Sequence, residues 1–318
     1  MPQRKIPARE LINFIVKVRY LSSQDGDHAK QLNLVRSMAN RMFHNYIGYN
    51  HRGEYRIKAR GERPFLESVE AHKAYDERWR SAPSTDRPVD VKFLGHAGFR
   101  LSGSSTVYID PWLSARGSPL NLEAVTKADL VLVTHDHEAH RADGVAIARR
   151  TGARLVGITG LAEKEPGVKF EPMNLGGRFL HEGVTVRMVQ AVHAGRALPS
   201  AGYVVQIDGY TVYHAGDTAL FSDMQLIGNE FEVDLALLPI GERFGMGVRD
   251  AAQATAWVRP RYVVPMHFNT YETIESDPEE FRLLVGDASA VKLLKPGDVL
   301  TLDRTAKSAA KEATGEKK

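Results

Sequence analysis

The segment LVLVTHDHEAH, residues 130–140, does most to limit what this chain can become. Four consecutive apolar residues, two of them β-branched, read as a short strand buried on both faces, which belongs inside a layered α/β domain. That strand runs straight into His135, His137 and His140. A strand end fixes the first two imidazoles and a turn swings the third to a neighbouring position, so several nitrogens can converge on one point. Three more candidates follow at the ends of other strand-like runs: His193 in QAVHAG, Asp217 in YHAGDT and His267 in VPMHFNT. A histidine standing alone is more often a hydrogen-bonded core or surface residue, but six such residues at strand ends favour a metal site. The chain has no Cys. Disulfides, thiolate nucleophiles, iron–sulfur clusters and Cys-ligated zinc are thereby excluded, and any metal must be held by His, Asp or Glu.

The 318 residues are 43% hydrophobic and 25% charged, which fits a folded protein with a full core and leaves room for an appendage to one large domain. The texture changes at SAPSTDRP, residues 81–88. Before it, apolar residues recur at helical spacing, as Leu11, Ile12, Ile15 and Val18, then Val35, Met38, Met42 and Tyr46, then Leu66, Val69, His72 and Trp79. This predicts three helices, a helical N-terminal extension over 1–89. After it, β-rich runs at 91–94, 106–109, 130–134, 154–158, 184–190, 203–207, 211–214, 235–240 and 262–266 alternate with turn signals. Helices are expected at 144–151 and 251–258, the latter with Asp250 as N-cap. A sandwich of sheets with helices outside is therefore expected over 90–303. Residues 304–318 hold too few apolar side chains to pack and are expected to be disordered.

Charge is unevenly placed: residues 1–89 carry 17 basic and 10 acidic side chains and the tail five and two, leaving the centre net acidic. The expected arrangement is a basic N-terminal layer that docks on an acidic core, with Val35, Met38, Met42 and Tyr46 buried beneath it, or stays solvated; nucleic acid or a phosphorylated substrate is the alternative reading of the charge. No apolar run approaches the roughly 20 residues that span a bilayer. The N-terminus threads charges through its apolar residues and lacks a small-residue cleavage site. No membrane partner and a cytoplasmic location are the resulting expectations.

The spacing of His135, His137 and His140, followed in order by His193, Asp217 and His267, resembles the metallo-β-lactamase superfamily, whose signature is H-x-H-x-D-H with later His, Asp and His ligands. The motifs LGHAGF (94–99), IDPWL (109–113), YHAGDTALFSDM (213–224), LLPIG (237–241) and VPMHFNT (264–270) are similar to a bacterial metal-dependent hydrolase branch related to ascorbate-6-phosphate lactonase. The resemblance implies an αββα sandwich with two divalent ions, Zn²⁺, Mn²⁺ or Fe²⁺, on one edge. His135, His137 and His193 would hold the first ion and His140 and His267 the second, with Asp217 bridging. It also implies a hydrolase that turns a metal-bound hydroxide on a small ester, lactone, amide or phosphoester.

One position departs from the pattern. Ala139 stands where the family has Asp, which weakens the second site and makes this a catalytic position of interest beside Asp217 and His96. Asp136 and Glu138 flank it at variable positions. Three readings follow: a deliberately inactivated version of an active enzyme, a natural one-metal enzyme, or a metal- or ligand-binding pseudoenzyme without turnover. The first is favoured because every other motif is intact. His96 and Asp110 are candidates for orienting a ligand or substrate, Arg243, Asn269 and Tyr271 for lining the site, and His214 for a structural role. The expected partner is a small-molecule substrate, with homo-oligomers allowed. A nuclease is the weaker alternative, since the length leaves no room for an added nucleic-acid clamp.

Overall fold

The computed structural model describes residues 47–49, 55–57 and 87–304. Backbone contacts divide the chain into two units, Met1–Arg78 and Trp79–Lys318. The three helices expected in 1–89, and their burial, lie outside the described residues. What is described there is an antiparallel ribbon of β1 (Ile47–Tyr49) and β2 (Tyr55–Ile57), with Gly48 opposite Arg56, a feature the helical periodicity does not reveal.

In the second unit, two seven-stranded sheets form in sequence. The first contains β3 (Val89–Gly95), β4 (Gly98–Ser102), β5 (Thr106–Ile109), β6 (Leu130–Leu132), β7 (Arg154–Ile158) and β8 (Lys169–Met173). The second contains β9 (Arg178–His181), β10 (Val184–Ala194), β11 (Pro199–Ile207), β12 (Tyr210–His214), β13 (Leu235–Pro239), β14 (Tyr262–Met266) and β15 (Ala290–Val291). Each sheet begins antiparallel and turns parallel, at the β5–β6 and β12–β13 pairs. A last strand, β16 (Val299–Leu302), crosses back to pair antiparallel with β3.

The layers follow from alternation of side chains across each strand. Tyr203, Val205, Leu235, Leu237, Val264 and Met266 join Val91, Phe99, Leu101, Leu130, Leu132 and Leu155 in one core between the sheets. Their sequence neighbours Val204, Ala236, Leu238 and Val263 point the other way, into a second core. There they meet α2 (Met224–Glu230), α3 (Val248–Val258) and α4 (Pro278–Val285) through Ile227, Ala251, Ala254, Val258, Phe281 and Val285. Helix α1 (Glu138–Thr151) packs on β6 and β7 with Val145, Ile147 and Ala148 buried. The result is the expected αββα sandwich.

Several boundaries move for identifiable reasons. The strand expected over 130–134 ends at Leu132, because the Thr134 N–H turns to the Asp110 carboxylate at 2.8 Å. Helix α1 starts at Glu138, well before 144, its first turn being too polar to show an apolar stripe. Helix α3 starts at Val248 with Gly247 as N-cap, so Asp250 lies in the first turn, where its charge suits the helix dipole, and is not the cap. Arg304, assigned to the tail, donates its backbone N–H to the Tyr210 hydroxyl at 2.9 Å and its guanidinium to Asp234 at 2.9 Å. Residues 305–318 lie outside the described residues.

The strand leading to the histidines is anchored by Tyr203, whose buried hydroxyl donates to the Val133 carbonyl at 2.7 Å. Tyr203→Phe should lower stability by about 1 kcal/mol, visible as a lower urea midpoint at unchanged slope. An unchanged midpoint would show that this bond adds nothing to the fold.

Candidate metal centre

The site gathers at the carboxyl ends of the parallel strands, where open α/β sheets place their ligands. Asp110 follows β5. Thr134, His135 and His137 follow β6, and His140 lies in the first turn of α1. His193 sits near the end of β10, Asp217 beyond β12 and His267 beyond β14, while His96 occupies the turn between β3 and β4. His96, Asp110 and His267 adopt positive φ, at 54°, 44° and 54°. Such backbone persists only where surrounding structure enforces it, and it clusters at functional sites. Gly216, with φ +65°, makes the turn that aims Asp217; a Cβ there would collide with the Ala201 carbonyl.

The structure brings all six expected metal residues, and His96, into one cluster. Asp217 Oδ2 is the hub: it lies 3.0 Å from His267 Nε2, 3.4 Å from His140 Nε2, 3.7 Å from His135 Nε2 and 3.9 Å from His193 Nε2. His137 Nδ1 lies 2.9 Å from His135 Nε2 and 3.5 Å from His193 Nε2. One group of donors within 4.8 Å of one another comprises His135, His137, His193 and Asp217, and a second comprises His96, His140 and His267.

Hydrogen bonds behind the rings set the tautomers. The Thr134 hydroxyl donates to Asp110 Oδ2 at 2.6 Å and so accepts from His135 Nδ1–H at 2.9 Å, which leaves the His135 Nε2 lone pair facing the cluster. His140 Nδ1–H donates to Asp110 Oδ2 at 2.8 Å, presenting Nε2 to Asp217. Carboxylate-backed imidazoles of this kind are typical of metal sites.

The electrostatics set His140 apart from the other shifted rings. Burial pushes His135 down to about 3, with the neighbouring His140 charge adding to it. Burial, then His267 and His140, pushes His96 down to about 2. His137 and His193 are also lowered, mainly by burial. For His140 burial acts the same way, but the Asp217 and Asp110 carboxylates outweigh it and raise the ring to about 10. Burial likewise opposes the Asp217 charge, yet His140 and His267 hold that carboxyl well below its usual range.

Other sequence candidates take clearer roles. Asp136 accepts the Arg196 and Ala197 N–H groups at 2.7 and 2.8 Å, so it pins the loop after β10 and does not stand in for the missing carboxylate. Glu138 is exposed beside the cleft. Ala139 lines the cleft, where its methyl brings no donor. His214 is structural: Nε2–H donates to the Ala97 carbonyl at 2.8 Å and Nδ1 accepts from Gly216 N–H at 3.1 Å, tying the His96 turn to the Asp217 turn. Asn269 accepts from Ser276 N–H at 2.8 Å, which fixes its own loop. Arg243 is exposed beside the Phe244 ring, and Tyr271 lines the cleft.

Sequence reasoning missed Thr134, Thr270, Trp112, Arg196 and Phe244. Thr134 had a signal, being a hydroxyl directly before the first ligand; the others are brought in by loops. Phe244, Tyr271 and Arg196 border a cleft of about 280 Å³ over the histidines. Trp112 lies 5.2 Å from the His96 ring and 5.9 Å from the Tyr271 ring, centre to centre.

This fold and ligand cluster define a class, and comparison with known proteins agrees with it. The family model described as the beta-lactamase superfamily domain matches residues 90–267, and the chain belongs to that superfamily. The UPF0173 metal-dependent hydrolase of Thermococcus onnurineus is 44% identical over 224 residues, 67% of this chain and 100% of that protein. That of Pyrobaculum islandicum is 47% identical over 226 residues, with 67% and 100% covered. Among solved structures, Igni18, a novel metallo hydrolase from Ignicoccus hospitalis, is 35% identical with a TM-score of 0.65, covering 68% of this chain and 99% of its own.

The donor set fits a divalent cation on its own terms. Asp217 Oδ1 is buried without a hydrogen-bond partner, and the His137 Nδ1 nitrogen comes within 2.9 Å of His135 Nε2 and 3.5 Å of His193 Nε2. A buried carboxylate oxygen in that state is costly unless something positive meets it. Imidazoles with one carboxylate and no thiolate suit Zn²⁺, Mn²⁺ and Fe²⁺.

Among the described residues, no helix is long and apolar enough to cross a membrane.

Proposed function

We propose that this protein is a metal-dependent hydrolase of a small ester, lactone, amide or phosphoester, working with two divalent ions. The convergence of His135, His140, His193 and His267 on one oxygen of Asp217 carries this reading. His135, His137 and His193 would hold the first ion, His140 and His267 the second, with Asp217 shared between them. Ions held there would supply Lewis acidity and a lowered pKa for water at the site. The chain's own groups do the rest. Asp110 and Thr134 hold His140 and His135 in the tautomers that face the cluster. Phe244 and Tyr271, each 48% exposed, offer apolar walls that bind the body of a substrate and exclude water. Arg196 supplies a positive charge at the rim for a carboxylate or phosphate. A cleft of about 280 Å³ is at the small end for ligand sites, which argues for a metabolite-sized substrate. The resemblance of the LGHAGF, IDPWL and VPMHFNT motifs to a branch related to ascorbate-6-phosphate lactonase puts phosphorylated lactones among the first compounds to try.

The test is turnover by chelator-stripped protein, before and after reloading with Zn²⁺, Mn²⁺ or Fe²⁺, on lactones, esters, amides and phosphodiesters. Metal-dependent hydrolysis is expected. Ala139→Asp should then tighten the second ion by about 10- to 100-fold and raise the rate with it, since it adds an anionic oxygen where the chain has a methyl. Metal uptake without turnover by either form would instead support the non-catalytic binder, the alternative that Ala139 motivates. Protein that takes up no ion would overturn both.

A further inference from the structure

We propose that His96 is a ligand of the second ion, so that this chain replaces the carboxylate missing at position 139 with an imidazole from the β3–β4 turn. The proposal rests on the metal reading above and deepens it. The donor atoms of His96, His140 and His267 lie within 4.8 Å of one another, close enough for one ion to touch all three. The His96 and His267 rings are 4.1 Å apart, centre to centre, and His96 and His140 5.5 Å.

The turn holds this ring as a ligand is held. His96 Nδ1 lies 3.0 Å from Thr270 Oγ1, and the Thr270 hydroxyl reaches the Phe268 carbonyl at 3.4 Å. A threonine that donates onward accepts from Nδ1–H, so the Nε2 lone pair is the one left to bind, as at His135 and His140. The His96 carbonyl accepts the His267 N–H at 2.7 Å, which fixes the backbones of the two residues to each other. His214 clamps Ala97 from the far side. A ring 6% exposed, on a backbone of positive φ, is placed too deliberately for a residue that only fills space.

Three imidazoles and the shared Asp217 oxygen give four donors, the count of a tetrahedral zinc site. Exchanging a carboxylate for a neutral imidazole leaves the second site one unit more positive and shifts its taste from ions that prefer oxygen toward Zn²⁺ or Fe²⁺.

His96→Asn is the sharpest variant. Asn accepts left-handed backbone, and its amide can keep the hydrogen bond to Thr270 while Nε2 is lost. Metal content and competition with a chromophoric chelator, using Zn²⁺ alone, are expected to show two ions in the wild type. In His96→Asn the second should be held at least about 100-fold more weakly and the first unchanged. Adding Ala139→Asp to that variant should restore the second ion. Zinc anomalous scattering from wild-type crystals should place the second ion about 2.0–2.1 Å from a His96 nitrogen, a test that needs no variant. Two ions bound with His96 beyond bonding distance, or His96→Asn retaining both with unchanged affinity, would overturn the proposal alone. Wild-type protein that binds no ion, or His137→Ala with unchanged metal content, would overturn the metal reading beneath it.

Discussion

Replacing Asp217 by alanine is expected to strip both ions from the purified protein and to lower hydrolysis by more than about 100-fold. Removing a group that merely orients a ligand commonly costs tens- to hundreds-fold, and Asp217 Oδ2 sits within 4 Å of four imidazole nitrogens, so its loss removes the one anion the two donor groups share. The fold should survive, because the contacts that Asp217 Oδ2 makes run to imidazoles of the cluster and Oδ1 makes no hydrogen bond, so the variant unties no strand of either sheet. Metal analysis, the chelator-reloading assay and far-UV circular dichroism read the three consequences separately. A variant that keeps its ions would remove Asp217 from the centre of the site.

The metal-free protein should lose several kcal/mol of stability between pH 7 and pH 5. His135 and His96 are held down to about 3 and about 2 when folded, against about 6.5 for an unfolded histidine. Between those limits the unfolded chain takes up protons that the folded protein refuses, so stability falls as pH falls through 6.5. Each ring contributes about 2 kcal/mol of that loss at pH 5. Asp217 and Asp110, with depressed pKa values, give way only at lower pH, as acid reaches those depressed values. His140 acts in the opposite sense. Raised to about 10, it contributes fully below 6.5, and that contribution is lost as pH climbs toward 10. Urea unfolding of chelator-treated protein should therefore trace a maximum near neutrality, and bound zinc, which displaces the His140 proton, should flatten its alkaline side. A flat profile in the metal-free protein would contradict the buried, neutral state of His96 and His135.

The parts legible in the sequence were those whose signal is local. Strands β5, β7 and β14 coincide with the expected runs 106–109, 154–158 and 262–266, because burial on both faces leaves an unbroken apolar string. The three histidines after β6 announced themselves by contiguity with such a string. Edge strands gave no such signal: β8 reads KFEPM with a proline inside it, and β9 reads RFLH, both half-solvated. The supporting hydrogen bonds were invisible for another reason. Thr270 meets His96 across 174 residues, and Asp136 meets Arg196 across 60, and such pairings leave no period in a single chain. His96 was therefore readable as a motif residue near the site, while its place beside His140 and His267 depended on the β3–β4 turn folding over the end of β14.

The sheets are built from successive stretches of chain, Val89–Met173 and Arg178–Val291, with only β16 returning. The first stretch supplies His96, His135, His137 and His140, and the second supplies His193, Asp217 and His267. Neither half of the gene encodes a complete site. During synthesis, the donors of the first group, His135, His137, His193 and Asp217, are all made by residue 217, whereas the second group waits for His267, just beyond β14. The second group is then the last part of the cluster to be completed, and a chain cut short before β14 would emerge with the first group alone.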